Sequence, residues 1–420
     1  MDAFEICGGE KLYGSVKIDF AKNSLLPLIS ATVATGSTVC FPSFPNYRDT
    51  EVLLSIAEHG GAKVERKNGG VKIDSSSFCR GVFPDKLFRE VRASIFMLGG
   101  VLARLGYAEC PLPGGCRIGD RPINLHLEAL EQMGANIRCD GEKVICRADG
   151  LHGAKIVLPF PSVGVTENVM IAACLADGDT EIHNAAIEPE VMDLKNFLNE
   201  CGGKIATRGR TFYIGGVKKL TGCEYTPIKD RIEAGTFLYA TALVGGEVAI
   251  NCVPEKKICS FVAKSGNNAC KIKCFNGNIY ISAKGTPFSC TKISTSPYPG
   301  YPTDMQSQVV ALLSVAKGES IVSDTVFPER FACVEQLKQL GADIKVKNGC
   351  AIVSGVRSLK GARVKAEDLR GGAGLVLACL KADGLSAVEN AELIDRGYAA
   401  IEDKLSALGA KIKRIKNYRG

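Results

Sequence analysis

Leu340-Gly-Ala-Asp-Ile-Lys-Val-Lys347 is the stretch on which the reading of this chain turns. The leucine closes an apolar helical pattern, and the glycine suits the left-handed residue that follows a helix C-cap. Ile344 and Val346 then alternate with charged neighbours, as in a strand with one buried face. Comparable junctions occur at His59-Gly-Gly-Ala62, Met133-Gly-Ala135, Cys201-Gly-Gly203, Asn267-Asn-Ala269 and Leu408-Gly-Ala410. With Gly61, Gly134, Gly202, Asn268, Gly341 and Gly409 as reference positions, the intervals are 73, 68, 66, 73 and 68 residues. The pair 73, 68 returns after an offset of 207, so the chain divides into two halves of three units each. The fourth unit, with Asn268 in place of glycine, is the most divergent. A unit of this length holds roughly two helices and four strands. The expected fold class is therefore α+β: two domains, each of three repeated units with helices buried inside and sheets outside.

Composition fits such a protein. The 420 residues are 46% hydrophobic and 23% charged, ordinary for a globular chain long enough for two domains. The net charge of +7 is mild and is not gathered into a basic run, which argues against a nucleic-acid tail and suits an anionic small substrate. Lys411-Ile-Lys-Arg-Ile-Lys416 reads as a strand with one wet face. The 18 cysteines mostly lie in apolar runs such as Ala172-Ala-Cys174-Leu and Leu377-Ala-Cys379-Leu, so they are expected to be small core residues in a reducing, cytoplasmic setting. Cys270 and Cys274 form a C-x3-C without a second pair, which does not make a zinc site. No uninterrupted apolar stretch reaches membrane-spanning length.

Each unit offers two helix starts. The first set is Lys22-Asn23, Arg92, Val165-Thr166, Arg231, Thr303-Asp304 and Arg370; the second is Arg48, Arg121, Pro189, Glu255, Pro328 and Arg396. Six of the twelve carry arginine and one carries lysine. A cation at a helix N-terminus opposes the helix dipole by about 0.3–1 kcal/mol, so its recurrence points to a bound anion. Arg48-Asp49 and Asp230-Arg231 also read as simple local ion pairs. Glu188 and Glu190 flank Pro189, where acids favour the dipole; capping and substrate positioning both fit them. In four units the glycine after the first helix lies 10 to 12 residues before the second start, but Gly106 lies 15 before Arg121. The extra residues are glycine-rich and carry Cys116 between Arg117 and Arg121. A thiol among cations ionises readily, and a Gly114-Gly115 loop can move like a lid.

These residues, in order, resemble a known family. The motifs are Ala21-Lys-Asn23, Arg92-Ala-Ser94, Leu112-Pro-Gly-Gly-Cys116, Arg121-Pro122, Ser162-Val-Gly164, Asn184-Ala-Ala186, Glu188-Pro-Glu190, Pro302-Thr-Asp-Met-Gln306, Asp368-Leu-Arg370 and Asp395-Arg-Gly-Tyr398. They are similar to those of UDP-N-acetylglucosamine 1-carboxyvinyltransferases, the enolpyruvyl transferases that open peptidoglycan synthesis, from the first residues to about Asp403. The resemblance implies the family's inside-out barrel domains. It places residues 22–229 in a catalytic-loop domain and residues 1–21 with 230–420 in a second one.

It also implies roles. Cys116 would be the lid cysteine, donating a proton, forming an adduct with phosphoenolpyruvate and reacting with fosfomycin-type epoxides. Asp304 would face the sugar 3'-hydroxyl as base, although it also reads as a helix cap. Lys22, Arg121 and Arg396 would grip phosphoenolpyruvate, with Lys22 and Arg396 counted in the catalytic set. Asn23, Arg92 and the run Pro122, Ile123, Asn124 and Leu125 would contact substrate. Ser162, Val163 and Gly164 would offer backbone donors to the diphosphate, Val326 and Phe327 would bracket the nucleotide sugar, and Asp368 and Arg370 would complete the set. The implied partners are phosphoenolpyruvate and UDP-N-acetylglucosamine, with no metal, cofactor, nucleic acid or membrane.

Four positions depart from the family pattern: Phe20 for glycine, Asn124 for aspartate, Phe160 for a basic residue and Tyr298 for histidine. They motivate an alternative, a weak or silent paralogue that binds sugar nucleotide and regulates the pathway. The sister enzyme acting on shikimate 3-phosphate lacks the Leu112-Pro-Gly-Gly-Cys116 motif and fits less well.

Overall fold

A computed structural model gives the fold and describes residues 1–112, 123–251, 257–266, 270–285 and 288–418. The chain forms two compact units. Among the described residues one comprises 20–112 and 123–228, and the other 1–19 and 229–418.

In the unit formed by residues 20–228, three helices are dry almost all round: Lys22–Thr35, Met97–Leu105 and Val163–Ala173. Their sequences carry little polar surface, so only a helical core satisfies them. They pack against one another. Close approach depends on small residues; a Cβ at Gly99 would fall 2.6 Å from the carbonyl oxygen of Asn168. Outside lie three sheets. Thr38–Phe41, Gly70–Asp74 and Lys63–Lys67 make the first, in that spatial order, and Tyr107–Pro111, Lys143–Arg147 and Asn136–Asp140 the second. The third runs Lys204–Arg208, Thr211–Gly215, Asp179–His183 and Lys155–Val157, the last pair parallel. Ile73, Cys146 and Ile214 point from these strands into the core.

The other unit repeats the arrangement. Arg231–Val244, Gln306–Leu313 and Leu369–Lys381 are its buried helices, packed together. Its three sheets are four-stranded. The N-terminal strands complete two of them. Ala3–Cys7 lies between Leu385–Glu389 and Lys411–Ile415, with Phe4 opposite Val388 on one side and Arg414 on the other. Leu12–Lys17 runs parallel to Gly246–Asn251. Lys411–Ile415 is thus a strand, as its alternation suggests.

The repeat glycines behave as the sequence predicts. Gly61, Gly134, Gly202, Gly341 and Gly409 all have positive φ, between 89° and 107°, where a side chain would be strained. Asn268 lies outside the described residues. The second helices depart from the expected starts in the last two repeats: they begin at Cys333 and Ile401 rather than Pro328 and Arg396. In the fifth, the Asp324 carboxylate accepts from the backbone N–H of Val326 and Phe327 and holds a turn there. In the sixth, a one-turn helix Ala391–Ile394 intervenes, and Ala400 adopts positive φ before the next helix. Arg121 and Glu255 lie outside the described residues.

Cysteine burial also differs from expectation. Six of the sixteen described thiols are buried: Cys110, Cys146, Cys174, Cys201, Cys333 and Cys379. Cys139, Cys274 and others sit on strands whose alternation turns them outward.

Arg414 ties the N-terminus of this unit to its last repeat. Its guanidinium donates to both oxygens of Asp395 at 2.9 and 2.6 Å and to Glu402 at 2.6 Å, and it lies 4.8 Å over the Phe4 ring. Arg414→Met is expected to lower stability by about 1–3 kcal/mol, since it strips partners from half-buried carboxylates. Urea unfolding checks this, and Arg414→Lys should restore only part, because an ammonium cannot fork onto Asp395.

Candidate active site

The sequence-predicted residues fall into two groups, one in each unit. In the first unit they stand at helix starts. Lys22 and Asn23 open the Lys22–Thr35 helix, and Arg92 opens a 3-10 turn, Arg92–Phe96, that leads into Met97–Leu105. Ile123 is buried, and its carbonyl accepts from His126 and Leu127 to begin the helix Asn124–Gln132. Leu125 is half-buried in that helix, packed on the core. Ser162 caps Val163–Ala173 by accepting from the Val165 N–H at 3.5 Å, leaving the first-turn donors of Val163 and Gly164 at a positive helix end. Gly164 has a steric reason: a Cβ there would fall 2.8 Å from the Phe96 ring. Its bareness lets the Ser162 turn approach the Arg92 turn. Cys116, Arg121 and Pro122 lie outside the described residues.

Residues outside the predicted site set hold this group together. Lys22 Nζ donates to Asp49 at 3.1 Å, so Asp49 pairs with Lys22, while Arg48 reaches Glu90 at 3.8 Å. The local Arg48-Asp49 pairing expected from sequence is thus replaced by a long-range one between two helix starts. The Asp193 carboxylate receives the Ser24 hydroxyl, the Tyr225 hydroxyl and the Ile228 N–H, which fixes the start of the Lys22 helix. Asn168 donates to His126 Nδ1 at 3.1 Å and accepts from the Gly99 N–H at 2.8 Å. It thereby links the helices that follow Ile123 and Arg92 to the helix that follows Ser162.

Glu188 and Glu190 flank the start of Pro189–Glu200, and Glu188 makes no side-chain cap bond to that helix. Beside them is a carboxyl that sequence reading missed. Glu167 is fully buried, and among the described residues neither of its oxygens has a hydrogen-bond partner. Burial first, then the charges of Glu190 and Glu188, push it well above the ordinary carboxyl range.

In the second unit, Asp304 lies in the 3-10 turn Thr303–Met305 before the buried helix Gln306–Leu313. Its carboxylate is turned to two arginines: Oδ1 accepts from Arg330 at 2.8 Å and Oδ2 from Arg370 at 3.1 Å. Both guanidiniums are buried, at 6% and 2% exposure. Burial alone pushes the Arg330 pKa down, but Asp304 and Asp368 reverse this and leave it raised. Asp368 caps the Leu369–Lys381 helix through the N–H groups of Arg370 and Gly371, both at 2.9 Å, and so aims Arg370. Val326 and Phe327 form the turn held by Asp324, which also accepts the hydroxyls of Thr295 and Thr303 at 2.7 Å. Arg330 lies 5.9 Å over the Phe327 ring and donates to Thr303 as well. Arg396 sits between helices Ala391–Ile394 and Ile401–Ala407. Its segment is fixed by Arg414 on Asp395 and by Tyr398, whose ring lies 5.3 Å from the Arg370 guanidinium. Asp304, Arg370, Asp368, Val326 and Phe327 therefore converge, with Arg330 as the residue that sequence reading missed. The chemistry available is an oriented carboxylate acceptor beside fixed positive charge.

The four departures are accommodated differently. Phe20 is buried and its carbonyl accepts the Tyr47 hydroxyl at 3.0 Å. Asn124 is exposed and donates to Glu128, while Phe160 is 41% exposed. Tyr298 lies under Lys257 Nζ at 4.4 Å and near Arg231 at 5.8 Å, so Arg231 packs on an aromatic ring while Asp230 caps its helix.

The chain is 44% identical over 416 residues to UDP-N-acetylglucosamine 1-carboxyvinyltransferase 2 of Caldanaerobacter subterraneus subsp. tengcongensis, covering 99% of this chain and 100% of that one. It is 46% identical over 406 residues to transferase 1 of the same organism, covering 96% and 97%. The chain belongs to the UDP-N-acetylglucosamine 1-carboxyvinyltransferase family. A further family member, from Finegoldia magna, is 44% identical over 421 residues and 99% of each chain. The wider family model described as EPSP synthase (3-phosphoshikimate 1-carboxyvinyltransferase) matches residues 6–405. Among solved structures, the enolpyruvyl transferase NikO from Streptomyces tendae superposes with a TM-score of 0.88 at 22% identity, covering 98% of each chain. EPSP synthase from Acinetobacter baumannii gives 0.74 at 18% identity, covering 99% and 100%. These two establish the enolpyruvyl transferase fold. No helix among the described residues is long and apolar enough to cross a membrane.

Glu167 carries a pH signature. Its folded pKa lies above the 4.5 of an ordinary glutamate, so the native state keeps a proton that the unfolded chain releases. The resulting stability is complete below the unfolded pKa and is lost as pH rises toward the folded one. Glu167→Gln keeps the shape without the ionisation. Its unfolding midpoint in urea is expected to gain on the parent progressively as pH rises above the ordinary glutamate value; a pH-independent difference would contradict the raised Glu167 pKa.

Proposed function

We propose that this protein transfers the enolpyruvyl group of phosphoenolpyruvate to the 3'-hydroxyl of UDP-N-acetylglucosamine, releasing phosphate, in the first committed step of peptidoglycan synthesis. The observation that carries this reading is 44–46% identity, over nearly the whole chain, to relatives that bear that activity as their name. The reaction is addition followed by elimination. A proton goes to carbon 3 of the enol, giving carbon 2 oxocarbenium character, and the sugar oxygen attacks carbon 2 as its own proton leaves. Phosphate departs from carbon 2 and a proton from carbon 3, restoring the double bond. Such chemistry asks for an acid, a base and cations matched to a carboxylate and a phosphate.

In this proposal Cys116 is the acid and Asp304 the base for the sugar hydroxyl. Arg330 and Arg370 hold both Asp304 oxygens in place, so one orientation is presented without reorganisation. Lys22, Arg121 and Arg396 take the anionic groups of phosphoenolpyruvate, and the helix start at Ser162, Val163 and Gly164 takes the diphosphate. Asn23, Arg92 and residues 122–125 contact the substrates, Val326 and Phe327 flank the nucleotide sugar, and Asp368 sets Arg370. The protein works in the cytoplasm, a setting that suits sixteen described thiols outside disulfides.

The test is phosphate release by the purified chain. Release is expected only when phosphoenolpyruvate and UDP-N-acetylglucosamine are both present. Tight nucleotide-sugar binding without turnover would instead support the regulatory paralogue, and turnover with shikimate 3-phosphate would support the sister enzyme. Asp304→Asn is expected to lower kcat by about 100-fold or more with its fold kept, the usual scale for removing a positioned base. Cys116→Ser is expected to reduce turnover sharply. A fosfomycin-type epoxide should leave a covalent adduct on the Cys116 peptide; an active enzyme with an unmodified peptide by mass spectrometry would remove the accessible thiolate.

A further inference from the structure

The C-x3-C pair noticed in the sequence, Cys270 and Cys274, is not the pairing that the fold makes. Cys274 instead meets Cys259. The helix Lys257–Gly266 packs on the strand Cys270–Phe275, and the two sulfurs lie 3.0 Å apart. Neither thiol is in a disulfide. A disulfide needs about 2.05 Å between sulfurs. The remaining gap between the sulfurs is about 1 Å. Cys274 is exposed and Cys259 half-buried against the core, so one sulfur is open to a small oxidant and the second waits beneath it.

A second close pair supplies the contrast. Cys201 and Cys223 have sulfurs 3.5 Å apart, but Cys201 is buried. Burial pushes both of these thiols up, so little of the reactive thiolate is present at neutral pH.

We propose that Cys259 and Cys274 form a redox-modification site that hydroperoxides convert into an intramolecular disulfide. The Cys274 thiolate attacks one peroxide oxygen; the O–O bond breaks, water leaves after protonation, and Cys274 becomes a sulfenic acid. The Cys259 sulfur then attacks the Cys274 sulfur; the S–S bond forms, the S–O bond breaks, and hydroxide leaves as water with the Cys259 proton. Two thiols lose two electrons, and one peroxide is reduced to two waters. A thiol donor reverses the reaction through a mixed disulfide. The new bond ties the start of the Lys257–Gly266 helix to the outer strand of its sheet. That helix start also carries Lys257, whose Nζ reaches the Tyr298 hydroxyl at 3.1 Å.

The experiment treats the full native chain with one equivalent of hydrogen peroxide, alkylates the remaining thiols and maps the peptides by mass spectrometry. A Cys259–Cys274 cross-linked pair, two hydrogens lighter and cleaved by dithiothreitol, is expected at roughly tenfold or more the yield of Cys201–Cys223. In Cys259→Ser, the Cys274 sulfenic acid should persist and be trapped by dimedone. In Cys274→Ser, Cys259 should be recovered alkylated. Recovery of both thiols alkylated in the parent protein, or a Cys274 cross-link to Cys270 instead, would overturn the proposal.

Discussion

A helix buried on every side can meet water, or a substrate, only at its ends. That constraint organises this molecule. Six helices are dry along their lengths, and sheets cover them in each unit. Their first-turn N–H groups still need acceptors, and three starts solve this with a side chain: Ser162, Asp230 and Asp368. Lys22, Arg92, Arg231 and Arg370 stand at or beside such starts, where a cation opposes the helix dipole. Those with a described partner are held by distant groups: Lys22 by Asp49, Arg231 by the Tyr298 ring, and Arg370 by Asp304 and the Tyr398 ring. The unfavourable local placement is therefore matched by long-range partners.

The Asp304, Arg330 and Arg370 cluster shows what this arrangement does energetically. Two buried guanidiniums share one carboxylate, and among the described residues Nε of Arg330 and Nη1 of Arg370 lack hydrogen-bond partners. Buried ion clusters add little net stability over apolar packing, but losing one member leaves the others uncompensated, at about 3–5 kcal/mol. Such a cluster is better understood as an orienting device. It fixes both oxygens of a carboxylate between two buried guanidiniums.

Much of this was legible in the sequence because repetition amplifies weak signals. One Leu-Gly-Ala followed by alternation is an ordinary helix end; six at a near-constant interval specify a layered repeat, and five of the reference positions do take positive φ. The motifs that mark the family were equally plain. What could not be read were the partners. Asp49 lies beside Arg48 in sequence but answers Lys22, because the first turn of one helix faces the start of another. Arg330 follows Val326 and Phe327 closely, yet only the fold shows that it reaches Asp304. Glu167 reads as a polar interruption of an apolar helix, and nothing local signals that it is fully buried next to Glu188 and Glu190. The helix starts placed at Pro328 and Arg396 failed for a related reason: a side-chain-held turn and an extra helical turn occupy those residues, and neither has a periodic signature.

The four departures from the family pattern separate by burial. Phe20 is in the core, and its carbonyl serves Tyr47, so its ring has a packing role that glycine could not fill. Tyr298 receives Lys257 on its hydroxyl and face, and that lysine gives the aromatic ring a structural partner that an isolated substitution would lack. The side chains of Phe160 and Asn124 are less enclosed: among the described residues one is 41% exposed and the other, exposed as well, donates to its helical neighbour Glu128. An exposed aromatic beside the Ser162 helix start presents a flat apolar face where a cation would present charge. In the proposed reading, the diphosphate would rely more heavily on the backbone donors and dipole of that helix.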